Sequence, residues 1–286
     1  MLSIFIMYSK DRLEHLKYTI SCLEDMPLYK ESQKILVFDG KSDFVPNDWQ
    51  AVQVPRINGE FCWGRMWDAG VFSSNNENIV YLDSDRLLPK NYLELINENI
   101  QDDLFIFSSM HFMMTQKQPI DICKSILSKT LEDLFDDDFA MTTLRYEVRH
   151  RDPYHGSGKN VMSGSTAFTK KTYKRIGGVD HWYCGHGAFA DTDFHMQASI
   201  KDCGFLDLGI SELHLSHEKL NDKNDEIQDK DLWILSLDNF IYYCEKWKLP
   251  LSLVENMAKK CGISRPLSYI QDRLKNLRQS PRYVLK

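Results

Sequence analysis

The sequence predicts an α/β sandwich in which a mostly parallel sheet is flanked by helices, and three observations predict it. Short apolar runs alternate with segments of helical periodicity over the first hundred residues, the pattern of strand–helix–strand units. The runs close on polar turns, Ser9-Lys10-Asp11, Asp39-Gly40-Lys41-Ser42 and Asp83-Ser84-Asp85. In parallel sheets such turns line the edge where ligands bind. The length, 286 residues, is enough for one large domain carrying an insert.

Leu2–Tyr8 is a continuous apolar run and reads as a buried first strand. Leu13, Leu16, Ile20 and Leu23 then recur at helical spacing. Lys34–Phe38 and Ala51–Pro55 are the second and third strands, Trp63–Phe72 a helix, and Ile79–Leu82 the fourth strand. Asn91–Ile100 reads as a helix and Asp103–Ser108 as another strand. From residue 110 the composition changes: Glu132–Asp138 is acidic, and Arg145–Lys159 is rich in Arg, His and Gly. Residues 105–158 are therefore expected to be an insert or lid, with regular structure resuming at Val161. Leu206–Leu208 and Glu212–His217 read as strands. Helical periodicity returns from Asp229, through Leu232, Leu235, Leu237, Phe240, Ile241 and Cys244. The expected division is a domain over 1–225 and a helical extension over 226–286.

Hydrophobic residues make up 43% and charged residues 27% of the chain, an ordinary globular balance. A net charge of −6 without a basic block argues against general nucleic-acid binding. The tail from Lys259 is locally basic (Lys259, Lys260, Arg265, Arg273, Lys275, Arg278, Arg282, Lys286) and reads as a solvated helix face or a surface for a polyanion or membrane. Seven scattered cysteines without a CxxC pair suit reduced thiols in a cytosol rather than a zinc knuckle. The opening run MLSIFIMY lacks a basic leader and a cleavage site and is too short to span a bilayer. A cytoplasmic protein is expected, and any membrane association would be peripheral.

Asp83 and Asp85 stand at i and i+2 just after an apolar strand. On a continuing strand they share a face, and at a strand end they can converge on one cation. Hard divalent ions prefer such oxygen ligands and complete their shell with phosphate and water. An acidic turn of no special function has the same pattern.

At this point the sequence resembles the GT-A class of glycosyltransferases, a Rossmann-like single-domain sandwich whose strand-end DxD binds a metal and a sugar nucleotide. The resemblance assigns Asp83, Ser84 and Asp85 to that turn. Tyr8, Ser9 and Asp11 resemble the loop that receives the nucleotide base, and Asp39 the acid of the Asp-Gly-Ser turn. Arg65 and Asp68, within Gly64-Arg65-Met66-Trp67-Asp68-Ala69-Gly70, are similar to a nucleotide-contacting helix, with the family's Asn replaced by Asp68 and its Arg shifted. In this class a His beyond the acidic block often completes the metal shell. His217 fits, with His214 as the alternative, and a nitrogen ligand favours Mn²⁺ over Mg²⁺.

A second block runs from Ser163-Gly164-Ser165-Thr166 through Ile176-Gly177-Gly178-Val179-Asp180 to Gly185-His186-Gly187 and Asp191-Thr192-Asp193-Phe194. It is similar to the acceptor-side segment of β-1,4-galactosyltransferases and chondroitin-type polymerases. The resemblance implies Asp191 as the base for the acceptor hydroxyl, Asp193 as second candidate or helix-orienting group, and Gly164, Trp182, His186 and Gly187 on the acceptor side. The family's Gly-Trp-Gly reads Gly185-His186-Gly187 here, its Glu before the base is Ala190, and Phe189 is an extra residue. The implied reaction is inverting transfer of a hexose or N-acetylhexosamine from a UDP-sugar to a carbohydrate or other hydroxyl-bearing acceptor. Alternatives are a retaining N-acetylgalactosaminyltransferase-like enzyme and a non-catalytic nucleotide-sugar-binding protein. A phosphatase of the haloacid-dehalogenase type would carry its DxD on the first strand, and a nucleotidyltransferase a glycine-rich loop after it. Neither fits.

Overall fold

The computed structural model describes residues 1–8, 12–40, 44–56, 61–108, 110–148, 162, 164–184, 189–216, 228–260 and 267–279. In chain order the elements are β1 (Leu2–Tyr8), α1 (Leu13–Glu24), β2 (Gln33–Asp39), β3 (Gln50–Val54), α2 (Trp63–Ser73), β4 (Asn78–Asp83), β5 (Arg86–Leu87), α3 (Tyr92–Asn99) and β6 (Leu104–Phe107). There follow β7 (Met110–Met114), α4 (Ile120–Leu127), α5 (Leu131–Phe135), α6 (Asp138–Thr143), β8 (Leu144–Val148), β9 (Ser165–Thr169) and α7 (Lys170–Ile176). The last are α8 (Ala190–Ile200), β10 (Gly204–Asp207), β11 (Ser211–His214), α9 (Gln228–Lys246), α10 (Ser252–Lys260) and α11 (Leu267–Arg278).

Contacts divide the chain into two compact units: residues 1–55, 65–178 and 194–217, and residues 56–64, 179–193 and 218–286. Both sheets lie in the first. Seven strands run in the order β10-β6-β9-β4-β1-β2-β3. All neighbours are parallel except β9, which is antiparallel to β4 and β6. Because β2, β1 and β4 are adjacent and parallel, their carboxyl ends share one edge. A second sheet of four strands runs β5-β11-β7-β8.

Both faces of the large sheet are covered, as its parallel strands require. Alternation along β1 sends Leu2, Ile4, Ile6 and Tyr8 to the face packed with Leu16, Ile20 and Leu23 of α1. Phe5 points the other way, into an aromatic cluster. There Trp67 lies parallel to Phe168 (5.6 Å, 14°) and Tyr173 (6.2 Å, 9°), with Tyr81 tilted against it and Phe194 edge-on. Gly70 on α2 lets this helix approach: a Cβ there would sit 2.6 Å from Phe5 Cγ. Helix α7 starts on Thr169, whose hydroxyl accepts from the Thr172 N–H, and stops at Gly177 with φ +99°.

Among the described residues, regular structure continues after β6. Residues 110–148 carry β7, three helices and β8. The strand β7 escapes sequence reading because Met-His-Phe-Met-Met is methionine-rich, and methionine favours helix. It is stabilised instead by pairing with β11 and β8.

In the second unit, Cys62 and Cys184 face each other across an isolated antiparallel bridge, and both thiols donate to the His181 carbonyl. All six described cysteines are free thiols and buried. The basic residues of α11 meet acids: Arg273 forks onto Asp238 at 2.7 and 2.8 Å, and Arg278 reaches Glu245. Among the described residues no helix is long and apolar enough to cross a membrane.

Gly70→Ala is expected to lower stability by roughly 1–3 kcal/mol, because the added methyl overpacks a ring cluster with no slack. That loss outweighs the better helix propensity of alanine, about 1 kcal/mol. Urea unfolding measures it, and an unchanged or raised midpoint would contradict the packing described.

Candidate functional site

The turn Asp83-Ser84-Asp85 joins the two sheets: β4 of the large one ends at Asp83, and β5 of the small one begins at Arg86. Its backbone is fixed from three sides. The Asp83 N–H donates to the Gly164 carbonyl at 2.8 Å, with Gly164 at φ +88°. The Thr19 hydroxyl of α1 donates to the Ser84 carbonyl, and the Leu215 N–H to the Asp85 carbonyl. Gly164, expected on the acceptor side, thus continues the β4–β9 pairing beside the first carboxylate.

The side chains of the turn meet Arg86, which is 3% exposed. Asp83 Oδ2 lies 3.7 Å from its Nη2, and Asp85 Oδ1 lies 3.4 Å from its Nε. The Tyr81 hydroxyl donates to Asp83; burial first, then the charge of Asp83, hold its phenol well above the ordinary value, so it stays a donor. Asp85 Oδ2 is also 3.3 Å from Arg12 Nη1 and 3.3 Å from His214 Nε2.

Arg86 is held in turn by the second sheet. Pairing sets Arg86 opposite His214, and Glu212 opposite His111. Alternation then puts Glu212 and His214 on one face, leaving Leu213 on the other. Glu212 and His111 are fully buried. Arg86 Nη1 lies 3.2 Å from Glu212 Oε1, which is 2.7 Å from His111 Nδ1, and Ser165 of β9 donates to the other Glu212 oxygen. Burial opposes the charge of Arg86, but Glu212, Asp85 and Asp83 outweigh it and raise its pKa. None of Arg12, Arg86, His111 and Glu212 was expected among the site residues. The adjacency of Arg86 to the turn was a usable signal; His111 in its methionine-rich strand had none.

The other predicted residues are placed as follows. Tyr8 ends β1 at 3% exposure and Asp39 ends β2 at 7%, both at the edge that carries Asp83. Arg65 is half-buried on α2, and Asp68 accepts from the Tyr173 hydroxyl at 2.7 Å. Ser9, Asp11, His186, Gly187 and His217 lie outside the described residues.

In the second unit, Asp191 is half-buried in the first turn of α8 and accepts from the Thr192 N–H at 2.8 Å. Just before it, the extra residue Phe189 has φ +82°, uncommon for a bulky side chain. It stacks on Phe240 (4.3 Å, 4°), and its carbonyl accepts the Asp193 N–H. Asp193 is fully buried, with Lys246 Nζ at 2.7 Å on one oxygen and Trp247 Nε1 at 2.7 Å on the other. Burial raises its pKa against the pull of Lys246. Lys246 also holds Asp180, where burial is outweighed and the carboxyl stays below its ordinary value. With both oxygens engaged, Asp193 suits holding the turn more than accepting a proton from a substrate. Trp182 is buried and stacked on Tyr242 at 4.6 Å.

Two carboxylates and an imidazole are donors of the right chemistry for a hard divalent cation. Among the described residues no group of three or more His, Cys, Asp or Glu side chains is arranged to hold a metal. A cation at Asp83 and Asp85 would complete its shell with water and with oxygens of a bound ligand, as a diphosphate supplies.

No protein-family model matches the chain, and no curated protein does. In fold it is similar to S. aureus TarS. Residues 1–349 of TarS in complex with UDP-GlcNAc superpose at TM-score 0.50 and 14% identity, over 84% of this chain and 65% of that one. A second structure of TarS 1–349 gives 0.50 and 14%, over 99% and 91%. Another TarS structure gives 0.50 and 12%, over 89% and 41%. The chain thus spans about two thirds of the first of these and less than half of the last. At these identities the likeness concerns the fold, a mixed seven-strand sheet with flanking helices, which is the GT-A type expected from the sequence.

Lys246→Met strips the buried Asp193 and the half-buried Asp180 of their cation and is expected to cost about 3–5 kcal/mol. Urea unfolding reads this, and a loss below ~1 kcal/mol would show that Lys246 does not hold the α8 turn.

Proposed function

We propose that the chain is a glycosyltransferase that moves a hexose or N-acetylhexosamine from a UDP-sugar to a hydroxyl of a carbohydrate or other acceptor. The observation that carries this reading is the Asp83-Ser84-Asp85 turn. Two carboxylates leave the carboxyl end of β4, at the sheet edge shared with Tyr8 and Asp39, and face a common cationic group. Ligands of open α/β sheets bind at such edges. The UDP-GlcNAc complex of TarS, similar in fold, supports a UDP-sugar as donor.

Asp83 and Asp85 would hold Mn²⁺ or Mg²⁺, with His214 or His217 as the nitrogen candidate. Such an ion neutralises the charge of the departing diphosphate. Tyr8, Ser9, Asp11, Asp39, Arg65 and Asp68 are assigned to the nucleotide. Asp191 is assigned as general base. Its carboxylate takes the proton of the acceptor hydroxyl while that oxygen bonds to the anomeric carbon. The bond from that carbon to the diphosphate breaks, its electron pair leaving with UDP. Attack opposite the leaving group inverts the centre. Asp191 is preferred over Asp193 because Lys246 and Trp247 engage both Asp193 oxygens. Gly164, Trp182, His186 and Gly187 remain the proposed acceptor side.

A thermal-shift series of nucleotide-sugars with and without Mn²⁺ tests the donor. A ligand at a hundredfold over its Kd stabilises by about 2.7 kcal/mol, so a true donor stands out. Asp83→Ala and Asp85→Ala are expected to abolish the Mn²⁺-dependent shift. Asp191→Asn is expected to keep the shift and lower transfer by about 10²–10⁴-fold. Transfer at the wild-type rate would remove Asp191 as base, and no shift with any nucleotide-sugar would sink the whole reading.

A further inference from the structure

We propose that Arg86 is a positioning residue that governs cation binding by Asp83 and Asp85, so that tight binding of the ion requires a diphosphate beside it. This rests on the metal-dependent, nucleotide-sugar reading above and deepens it.

The guanidinium is buried, cannot be deprotonated in a protein, and stands within 3.7 Å of one carboxylate and 3.4 Å of the other. A permanent positive charge there does two opposed things. It draws the two side chains of the turn towards one point, and it repels a divalent ion that seeks the same oxygens. Arg12, 3.3 Å from Asp85 Oδ2, adds a second positive charge, and His214 Nε2 faces that same oxygen at 3.3 Å. Arg86 is fixed in place, because the fully buried Glu212 lies 3.2 Å from its Nη1, the Nε2 of the fully buried His111 lies 3.0 Å from the same atom, and Ser165 holds Glu212 from the first sheet. Glu212 also screens the guanidinium charge, so the network carries a setting that can be moved in either direction. A diphosphate brings negative charge and oxygen ligands, offsetting both arginines. By linkage the ion then favours the diphosphate as much as the diphosphate favours the ion.

The test is Mn²⁺ binding to the full chain, followed by electron paramagnetic resonance of the free ion, with and without UDP. In the wild type UDP is expected to tighten Mn²⁺ binding at least tenfold. Glu212→Gln keeps an acceptor oxygen for Arg86 and His111, turns the Ser165 contact round so that the amide NH2 donates to the hydroxyl, and unmasks the charge of Arg86; it is expected to weaken binding of Mn²⁺ alone several-fold. The pair Arg86→Met with Glu212→Gln removes the cation together with its buried counter-charge. It is expected to tighten binding of Mn²⁺ alone at least fivefold and to shrink the UDP effect. A purely structural role moves both variants the same way. Near-UV circular dichroism checks that each is folded. Should either fail to fold, Arg12→Gln, on a partly exposed side chain, is expected to tighten Mn²⁺ alone by a smaller factor. A double variant, or Arg12→Gln in its place, that binds Mn²⁺ no better than wild type overturns the proposal. So does wild type that binds Mn²⁺ equally with and without UDP. Wild type that takes up no Mn²⁺ in either condition overturns the metal reading itself, a different failure.

Discussion

The ion pair between Arg86 and Glu212 is the constraint on which the site depends. Two charges withdrawn from water are costly unless paired and hydrogen-bonded, and removing one partner of such a pair strands the other. Here the pairing is close to complete. Glu212 receives Arg86 and His111 on one oxygen and Ser165 on the other. The contact reaches from β5 to β11 and β9, so one carboxylate fastens the small sheet to the large one. The acidic turn lies between those sheets, and its geometry is inherited from that fastening.

Around the turn, the two sheets supply different things. The large sheet gathers the carboxyl ends of β1, β2 and β4 at one edge and buries both its faces under α1 and an aromatic cluster. The small sheet contributes the charged lining through its register, because Arg86, His214, Glu212 and His111 fall on one face by pairing and alternation. In the second unit a similar economy holds. Lys246 serves Asp180 and Asp193 at once, and the backbone of Phe189 is kept left-handed beside Asp191 while its ring stacks on Phe240. Backbone outliers of this kind cluster at functional positions.

Much of the fold was legible in the sequence. The first four strands and the two helices between them announce themselves through apolar runs and 3.6-residue spacing, and their parallel order follows from alternation. Of the small sheet only β11 was legible, within the run Glu212–His217; β5, β7 and β8 were not. Two residues make β5, and methionines make most of β7, so neither run has a strand's composition. Of the site, the acidic pair and its place at a strand end could be read, since i and i+2 spacing is local. The Arg86–Glu212 contact spans 126 positions, and nothing local to either residue marks it. Glu212-Leu213-His214-Leu215 even reads as an ordinary half-exposed strand, because alternation cannot say whether the polar face meets water or another sheet. Asp68 is a further case: it accepts from the hydroxyl of Tyr173, 105 positions away, a contact that local spacing does not reveal.

The late arrival of β9 sets a condition on biosynthesis. β4 is complete at residue 83, but its antiparallel neighbour begins at residue 165, about eighty residues later on the ribosome. At ~5–20 residues per second this leaves the apolar flank Ile79–Leu82 without its partner for roughly 4–16 s, and β6 waits for the same strand. An unpaired apolar edge is a template for association with other chains. The emerging polypeptide therefore passes through a window in which a half-built sheet needs shielding, and translation speed between those two strands fixes how long it lasts.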